Sequence, residues 1–130
     1  MLTDTHCHLF YEELKNDLSN VLLRANEMNV TRFICVGTNI IDSKECLSIT
    51  ENHENIFSSV GIHPHDSKDV PKNYLLELEK LSESNKVVAI GEIGIDNYRN
   101  HSPLDIQKKV MIEQMDLAYK LNLPIVFQAI

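Results

Sequence analysis

The 130-residue sequence has little of what marks secreted or membrane-spanning proteins. Its three cysteines are too few and too widely spaced for a disulfide framework, and no Cys-x-x-Cys pair occurs. No apolar run approaches the ~18 residues that a membrane-spanning helix requires. The first residues lack the basic and apolar segments of a signal peptide. We therefore expect a cytoplasmic protein that does not use a membrane as a partner.

Positive charge is also scarce, with 12 lysine and arginine residues against 19 aspartate and glutamate residues and a net charge of −7. This balance argues against a nucleic-acid-binding protein that relies on a broad basic face. It leaves open an enzyme that holds a few phosphate groups at a metal site. The length and the 43% hydrophobic content fit one globular domain over residues 1–130.

Strand-like and helix-like segments alternate along the whole chain. Short β-branched or wholly apolar runs predict strands over residues 2–5, 30–36, 56–60, 87–90 and 123–127. Apolar residues at helical spacing predict helices over residues 11–28, 42–52, 71–81 and 102–121. The resulting βαβαβαβαβ order indicates an α/β protein with a parallel five-stranded sheet. Both an open doubly wound sheet and a partial (β/α)8 barrel fit, although the first turn lacks a glycine-rich nucleotide fingerprint.

Two histidine pairs follow predicted strands. His6 and His8 end the first strand, and Asp4 has the same parity, so the three side chains are expected to project from one face. Two adjacent neutral imidazoles are half of a metal site, or alternatively a hydrogen-bonded pair at a strand end. His63 and His65 lie in the loop after the third strand, where they would bind anionic oxygens or be exposed turn residues.

Acidic and basic residues follow the fourth predicted strand. Glu92 comes directly after an apolar run and between two glycines, where a carboxylate is costly unless it is paired or binds a metal. The alternative for Glu92 is a solvent-facing turn residue. Asp96 could support the site or cap the next helix. Arg99 would suit a phosphate, being a bidentate donor, or be an exposed loop residue.

Four segments together resemble the TatD family of metal-dependent deoxyribonucleases. They are DTHCHL at 4–9, VGIHPH at 60–65, AIGEIGID at 89–96 and LPIV at 123–126. The His-x-His pair alone would also suit other amidohydrolase-like barrels and PHP-type phosphoesterases. The resemblance implies a (β/α)8 TIM barrel with two divalent metals at its C-terminal mouth, which hydrolyses phosphodiester bonds of a DNA substrate. It implies that His6 and His8 bind one metal and that Glu92 bridges the pair as a catalytic residue.

The chain departs from the family pattern in length and in one ligand. A barrel of this type needs ~250 residues, so we expect residues 1–130 to be an incomplete domain with weak or no activity alone. Gln128 stands where the resemblance implies a metal-binding histidine, and an amide is a weak ligand. We expect at most one divalent metal (Zn, Mg or Mn), and self-association or a partner chain that completes the barrel. The alternative function is a non-catalytic metal-binding remnant or interaction module.

Overall fold

The computed structural model describes residues 1–129, which form five strands and five α-helices. The strands are β1 (Leu2–Cys7), β2 (Val30–Val36), β3 (Ile56–Val60), β4 (Val87–Ile95) and β5 (Ile125–Ala129). The helices are α1 (Glu12–Lys15), α2 (Leu18–Glu27), α3 (Ile40–Thr50), α4 (Tyr74–Leu81) and α5 (Leu104–Leu121), and a 3-10 helix (Pro64–Asp69) follows β3. Among residues 1–129, none of these helices has the length and apolar character needed to cross a membrane.

The strand order decides between the two architectures. The five strands lie in the order in which they occur in the sequence, and every neighbouring pair is parallel. A doubly wound sheet would place its first strand in the interior, because the chain reverses its direction across the sheet. Here each crossover leads to the next strand on the same side, as in a (β/α)8 barrel. The prediction of a partial barrel is confirmed, and the fold is a curled α/β half-barrel.

The two ends of the half-barrel are less covered than its centre. Strands β3 and β4 are mostly buried, and their apolar side chains pack against α4 and α5. A second apolar cluster joins β2 and β3 to α3 and to the loop after β1. By contrast, residues 2–6 of β1 are exposed, and so are Ile125 and Phe127 of β5. Apolar side chains on both edge strands therefore face solvent.

Several predicted boundaries differ from the structure by two or three residues, and two predicted elements differ more. The helix predicted over residues 11–28 is split into α1 and α2, because Asp17 has a non-helical backbone and its carboxylate accepts a hydrogen bond from Asn20. Strand β4 continues to Ile95, whereas a turn was predicted after residue 90. Gly94 permits this extension, because its φ of 154° disfavours other residues and a Cβ there would overlap the carbonyl oxygen of Gln128 on β5.

Candidate metal centre and substrate cleft

Three potential metal ligands meet at one end of the sheet. Within residues 1–129, His6, His8 and Glu92 form a cluster whose ligand atoms all lie within 4.8 Å of one another. His6 Nε2 is 3.4 Å from Glu92 Oε1. The donors of a tetrahedral zinc site with bonds of ~2.0–2.1 Å lie roughly 3.3 Å apart, so the cluster needs little rearrangement to share one ion. Two imidazoles and a buried carboxylate thus fit a divalent metal.

The His8 ring is held in the tautomer that a metal ligand needs. His8 Nδ1 lies 2.8 Å from the carbonyl oxygen of Val36, the last residue of β2. A carbonyl oxygen only accepts, so Nδ1 donates its proton and leaves the lone pair of Nε2 available. The Tyr11 ring stacks on the imidazole, with the centroids 5.0 Å apart. The neighbouring strand and the loop after β1 therefore orient this ligand before any ion binds.

Asp4 lies outside the three-ligand cluster. Its Oδ1 accepts a hydrogen bond of 3.1 Å from the backbone N–H of His6. The pairing of β1 with β2 explains why Asp4 lies outside the cluster. Asp4 is opposite Phe33 in the register, whereas Cys7 is opposite Cys35. Strand β1 thus has one residue more than β2 over this stretch, and such a bulge interrupts the alternation of side chains. The Asp4 carboxylate supports the backbone of β1 at His6.

A cleft of 340 Å³ opens beside the cluster. It is lined by six of the predicted site residues, namely His8, His63, His65, Glu92, Arg99 and Gln128. Three residues that the sequence did not indicate also line it: Tyr11, Thr38 and Asp66. Thr38 closely follows β2, a position that could have suggested it, because sites in parallel sheets form beyond the carboxyl ends of strands. Tyr11 and Asp66 carry no comparable signal.

Both ring nitrogens of His63 have partners in the protein. His63 Nδ1 accepts the backbone N–H of His65 at 3.1 Å, which places the ring proton on Nε2. That Nε2–H faces Gln128 Oε1 at 3.1 Å. Burial lowers the pKa of His63, so the imidazole is neutral near pH 7. Gln128 thus binds His63, and among residues 1–129 the histidine, cysteine, aspartate and glutamate side chains form no second cluster of three ligands.

Asp96 orients His65 and shapes the loop that carries Arg99. The Asp96 carboxylate is fully buried, and its Oδ2 is hydrogen-bonded to His65 Nε2. Its Oδ1 accepts the backbone N–H groups of Tyr98 (2.8 Å) and Arg99 (3.0 Å). The hydrogen bond from Arg99, together with those from His65 and Tyr98, lowers the pKa of Asp96 to about 2. Asp96 therefore remains charged, and it positions two cleft residues without lining the cleft itself.

We expect Asp96 to make the stability of the protein depend on pH in the acid range. Because the pKa of Asp96 is lower in the folded protein than its ordinary value of 3.8, the unfolded state takes up a proton first. The contribution of Asp96 to the free energy of unfolding is therefore full above pH 3.8 and is lost as the pH falls towards about 2. In urea titrations, the stability difference between the wild type and Asp96→Asn should shrink over this interval. Parallel pH curves, like those expected for the exposed control Asp105→Asn, would contradict the assignment.

Two buried glutamines of α5 hold the strand-end loops, and sequence reasoning missed both. Gln107 Oε1 accepts the backbone N–H of Asp96 at 2.8 Å, and its Nε2 donates to the Ser102 carbonyl at 2.7 Å. Gln114 Oε1 accepts the N–H of Ile62 at 2.7 Å, and its Nε2 donates to the Ile62 carbonyl at 3.2 Å. Both side chains have no exposed surface. Their seven-residue spacing places them on one helix face, but this spacing alone does not indicate that the face is buried.

Known proteins that resemble this chain carry hydrolase and deoxyribonuclease names. The family model described as TatD related DNase matches residues 3–127. The chain is 40% identical over 126 residues to "Uncharacterized metal-dependent hydrolase YabD" of Bacillus subtilis (strain 168), covering 97% of this chain and 49% of that protein. It is 35% identical over 130 residues to "Deoxyribonuclease Tat-D" of Schizosaccharomyces pombe, covering 90% of this chain and 42% of that protein.

A solved structure shares the half-barrel. The crystal structure of YJJV, a TatD homologue from Escherichia coli K12, matches with a TM-score of 0.90 and 29% sequence identity. The match covers 97% of this chain and 49% of that one. The chain therefore spans about half the length of the relatives that it matches.

Proposed function

Because this chain belongs to the TatD related DNase family, we propose that it carries part of a metal-dependent hydrolase site that cleaves DNA phosphodiester bonds. The observation that carries the proposal is the His6–His8–Glu92 cluster at the edge of a cleft with donors for anionic oxygens. The name of the fission-yeast relative, a deoxyribonuclease, supports DNA as the substrate. The cytoplasmic location stays a prediction.

The cluster is proposed to hold one divalent ion. Imidazole nitrogen and carboxylate oxygen suit zinc and manganese, whereas magnesium prefers oxygen ligands alone. A bound divalent ion supplies Lewis-acid polarisation of the phosphoryl oxygen and lowers the pKa of water. The Glu92 carboxylate lies beside this position and is 5% exposed, so it can accept the proton of the attacking water where bulk solvent does not compete. His8 keeps its orientation through the Val36 carbonyl.

Three cleft residues outside the ligand cluster are proposed to bind the phosphate, namely Arg99, His65 and His63. The Arg99 guanidinium offers two parallel N–H donors to phosphate oxygens. His65, oriented by Asp96, and His63 also line the cleft, and the Nε2–H of His63, which donates to Gln128, would have to exchange that hydrogen bond to reach a phosphate oxygen. His65 is hydrogen-bonded to Asp96, and His63 is hydrogen-bonded to Gln128 of β5. The backbone N–H of Arg99 donates to Asp96, which holds the loop that carries Arg99. The substrate would thus meet side chains that the protein already holds in place beside the proposed metal cluster.

The exposed edges of the half-barrel favour association with further strands. Strand β1 is exposed from residue 2 to residue 6, and β5 exposes Ile125 and Phe127. Unpaired parallel edges with apolar side chains pair readily with other strands. We propose self-association or a partner chain as their cover, and weak activity for the chain alone. The alternative, a non-catalytic metal-binding module, is favoured by one observation: Gln128, where the family resemblance implies a metal-binding histidine, is hydrogen-bonded to His63.

The experiment is cleavage of end-labelled single-stranded DNA by the purified 130-residue protein, with Zn²⁺, Mn²⁺ or Mg²⁺ added after chelation. We expect slow cleavage that EDTA abolishes and that His6→Ala removes, because His6 is one of three metal ligands. His53→Ala is the matched control, since that histidine is remote from the cleft lining. Metal binding without cleavage would support the non-catalytic module. Absence of both would reject the proposed function.

A further inference from the structure

Two cysteines that the proposed site does not use are in direct contact. Cys35 lies on β2 and Cys46 on α3, and neither has any exposed surface. Their sulfur atoms are 3.1 Å apart and share a hydrogen bond. A disulfide bond has an S–S distance of ~2.05 Å, so an approach of roughly 1 Å separates the two thiols from a covalent link. Both cysteines are free in this structure.

The third cysteine is chemically distinct from this pair. Cys7 is opposite Cys35 in the β1–β2 register, but its thiol donates to the carbonyl oxygen of Ile34 at 3.3 Å. The Cys7 sulfur is therefore hydrogen-bonded to a carbonyl group of β2, whereas the sulfurs of Cys35 and Cys46 are hydrogen-bonded to each other. The hydrogen bond between Cys35 and Cys46 lowers the pKa of Cys35 and raises the pKa of Cys46. Of the pair, Cys35 is therefore the thiol that ionises first.

We propose that Cys35 and Cys46 are a modification site, a dithiol that a hydroperoxide converts reversibly into a disulfide joining β2 to α3. In the first step an S–O bond forms between Cys35 and one peroxide oxygen, the O–O bond breaks, and the other oxygen leaves with the Cys35 proton, as water from hydrogen peroxide or as an alcohol from an organic hydroperoxide. In the second step the Cys46 sulfur attacks the sulfenic sulfur, the S–S bond forms, the S–O bond breaks, and the sulfenic oxygen leaves as water with the Cys46 proton. The two cysteines lose two electrons, and the hydroperoxide gains them.

The position of the pair gives this modification a structural consequence. Cys35 directly precedes Val36, whose carbonyl oxygen orients His8. Helix α3 begins just after Thr38, which lines the cleft and bonds to Asp42. A disulfide here would tie the strand beneath the cleft to the helix beside it. Because both sulfurs are buried, the oxidant reaches them during local opening of α3, and oxidation should be slow. The inference does not depend on the proposed nuclease function.

The test treats the whole 130-residue chain with hydrogen peroxide and then alkylates the remaining thiols under denaturing conditions. We expect a monomer that is lighter by two hydrogen atoms, with one alkylated thiol at Cys7, and a cross-linked peptide that joins Cys35 to Cys46. Dithiothreitol should restore three alkylated thiols. Cys7→Ser should form the same cross-link and melt at a higher temperature once oxidised, because the disulfide restricts the unfolded chain. Cys46→Ser should show neither change.

Three results would overturn the proposal. They are a cross-link that includes Cys7, disulfide-linked dimers as the main product, and oxygen addition at Cys7 while Cys35 and Cys46 remain thiols. Failure of the wild type to lose two thiols after prolonged exposure would count equally against it. Because mass and peptide mapping are the readouts, the result does not require an active enzyme.

Discussion

Glu92→Ala is expected to lower the affinity of the protein for Zn²⁺ and Mn²⁺ by at least about 100-fold, since loss of a residue that only supports a ligand already costs ~10–100-fold. Glu92 supplies the charged ligand of the cluster, and its carboxylate is 5% exposed, so water does not weaken its attraction for a cation. Isothermal titration calorimetry of the chelated protein measures the effect directly. The control is Glu27→Ala, which removes an exposed carboxylate on α2 and should leave the affinity unchanged.

A conservative variant separates ligand loss from misfolding. Glu92→Gln keeps the shape of the side chain and the backbone hydrogen bond from Glu92 to Gly37, while it removes the negative charge. We expect it to retain the circular dichroism spectrum of the wild type and to bind zinc almost as poorly as Glu92→Ala. Zinc affinity within a factor of about three of the wild type, a free-energy change below 1 kcal/mol, would show that Glu92 is not a ligand.

The candidate site could be predicted from sequence because its residues lie close to the carboxyl ends of the predicted strands. His6 and His8 were placed together by the two-residue period of a strand, and the structure brings both to Glu92. The same period failed for Asp4, because a bulge in β1 interrupts it and bulges leave no clear mark in the sequence. Glu92 was expected just beyond its strand, yet β4 continues past it. That difference arises because Gly94 lets β4 lie closely against β5.

The hydrogen bonds that hold the site in place could not be predicted from the sequence. The bond between Asp96 and His65 joins residues 31 apart, and no local pattern pairs them. Gln107 and Gln114 would ordinarily be placed on the solvent face of α5, because polar residues in an amphipathic helix usually face water. Their burial becomes understandable once the sheet is curled, since each amide then meets a backbone segment with an unpaired N–H or C=O group. Tertiary packing, rather than propensity, fixes these contacts.

Gln114→Leu is expected to reduce the free energy of unfolding by about 2–4 kcal/mol, a large share of the ~5–15 kcal/mol typical of a domain. Leucine fits the volume but leaves the N–H and C=O groups of Ile62 without their partners in a fully buried position. Urea denaturation measures the loss. Lys108→Leu introduces the same residue at an exposed position of the same helix and should change stability by less than about 0.5 kcal/mol.

Gln114→Leu also tests whether the His6–His8–Glu92 cluster depends on the loop that carries His63 and His65. Ile62 directly precedes His63, so loss of the Gln114 amide should free the loop that carries His63 and His65, the histidines proposed to bind phosphate. The proposed ligands His6, His8 and Glu92 lie on β1, in the turn after it and on β4, whereas the amide atoms of Gln114 are bonded to Ile62 and Val110. At temperatures where Gln114→Leu remains folded, we therefore expect unchanged zinc affinity and weaker binding of inorganic phosphate. If zinc affinity and phosphate binding fell together, α5 would hold the whole end of the half-barrel as one unit. If the free energy of unfolding of Gln114→Leu stayed within about 1 kcal/mol of the wild type, packing alone would replace the amide.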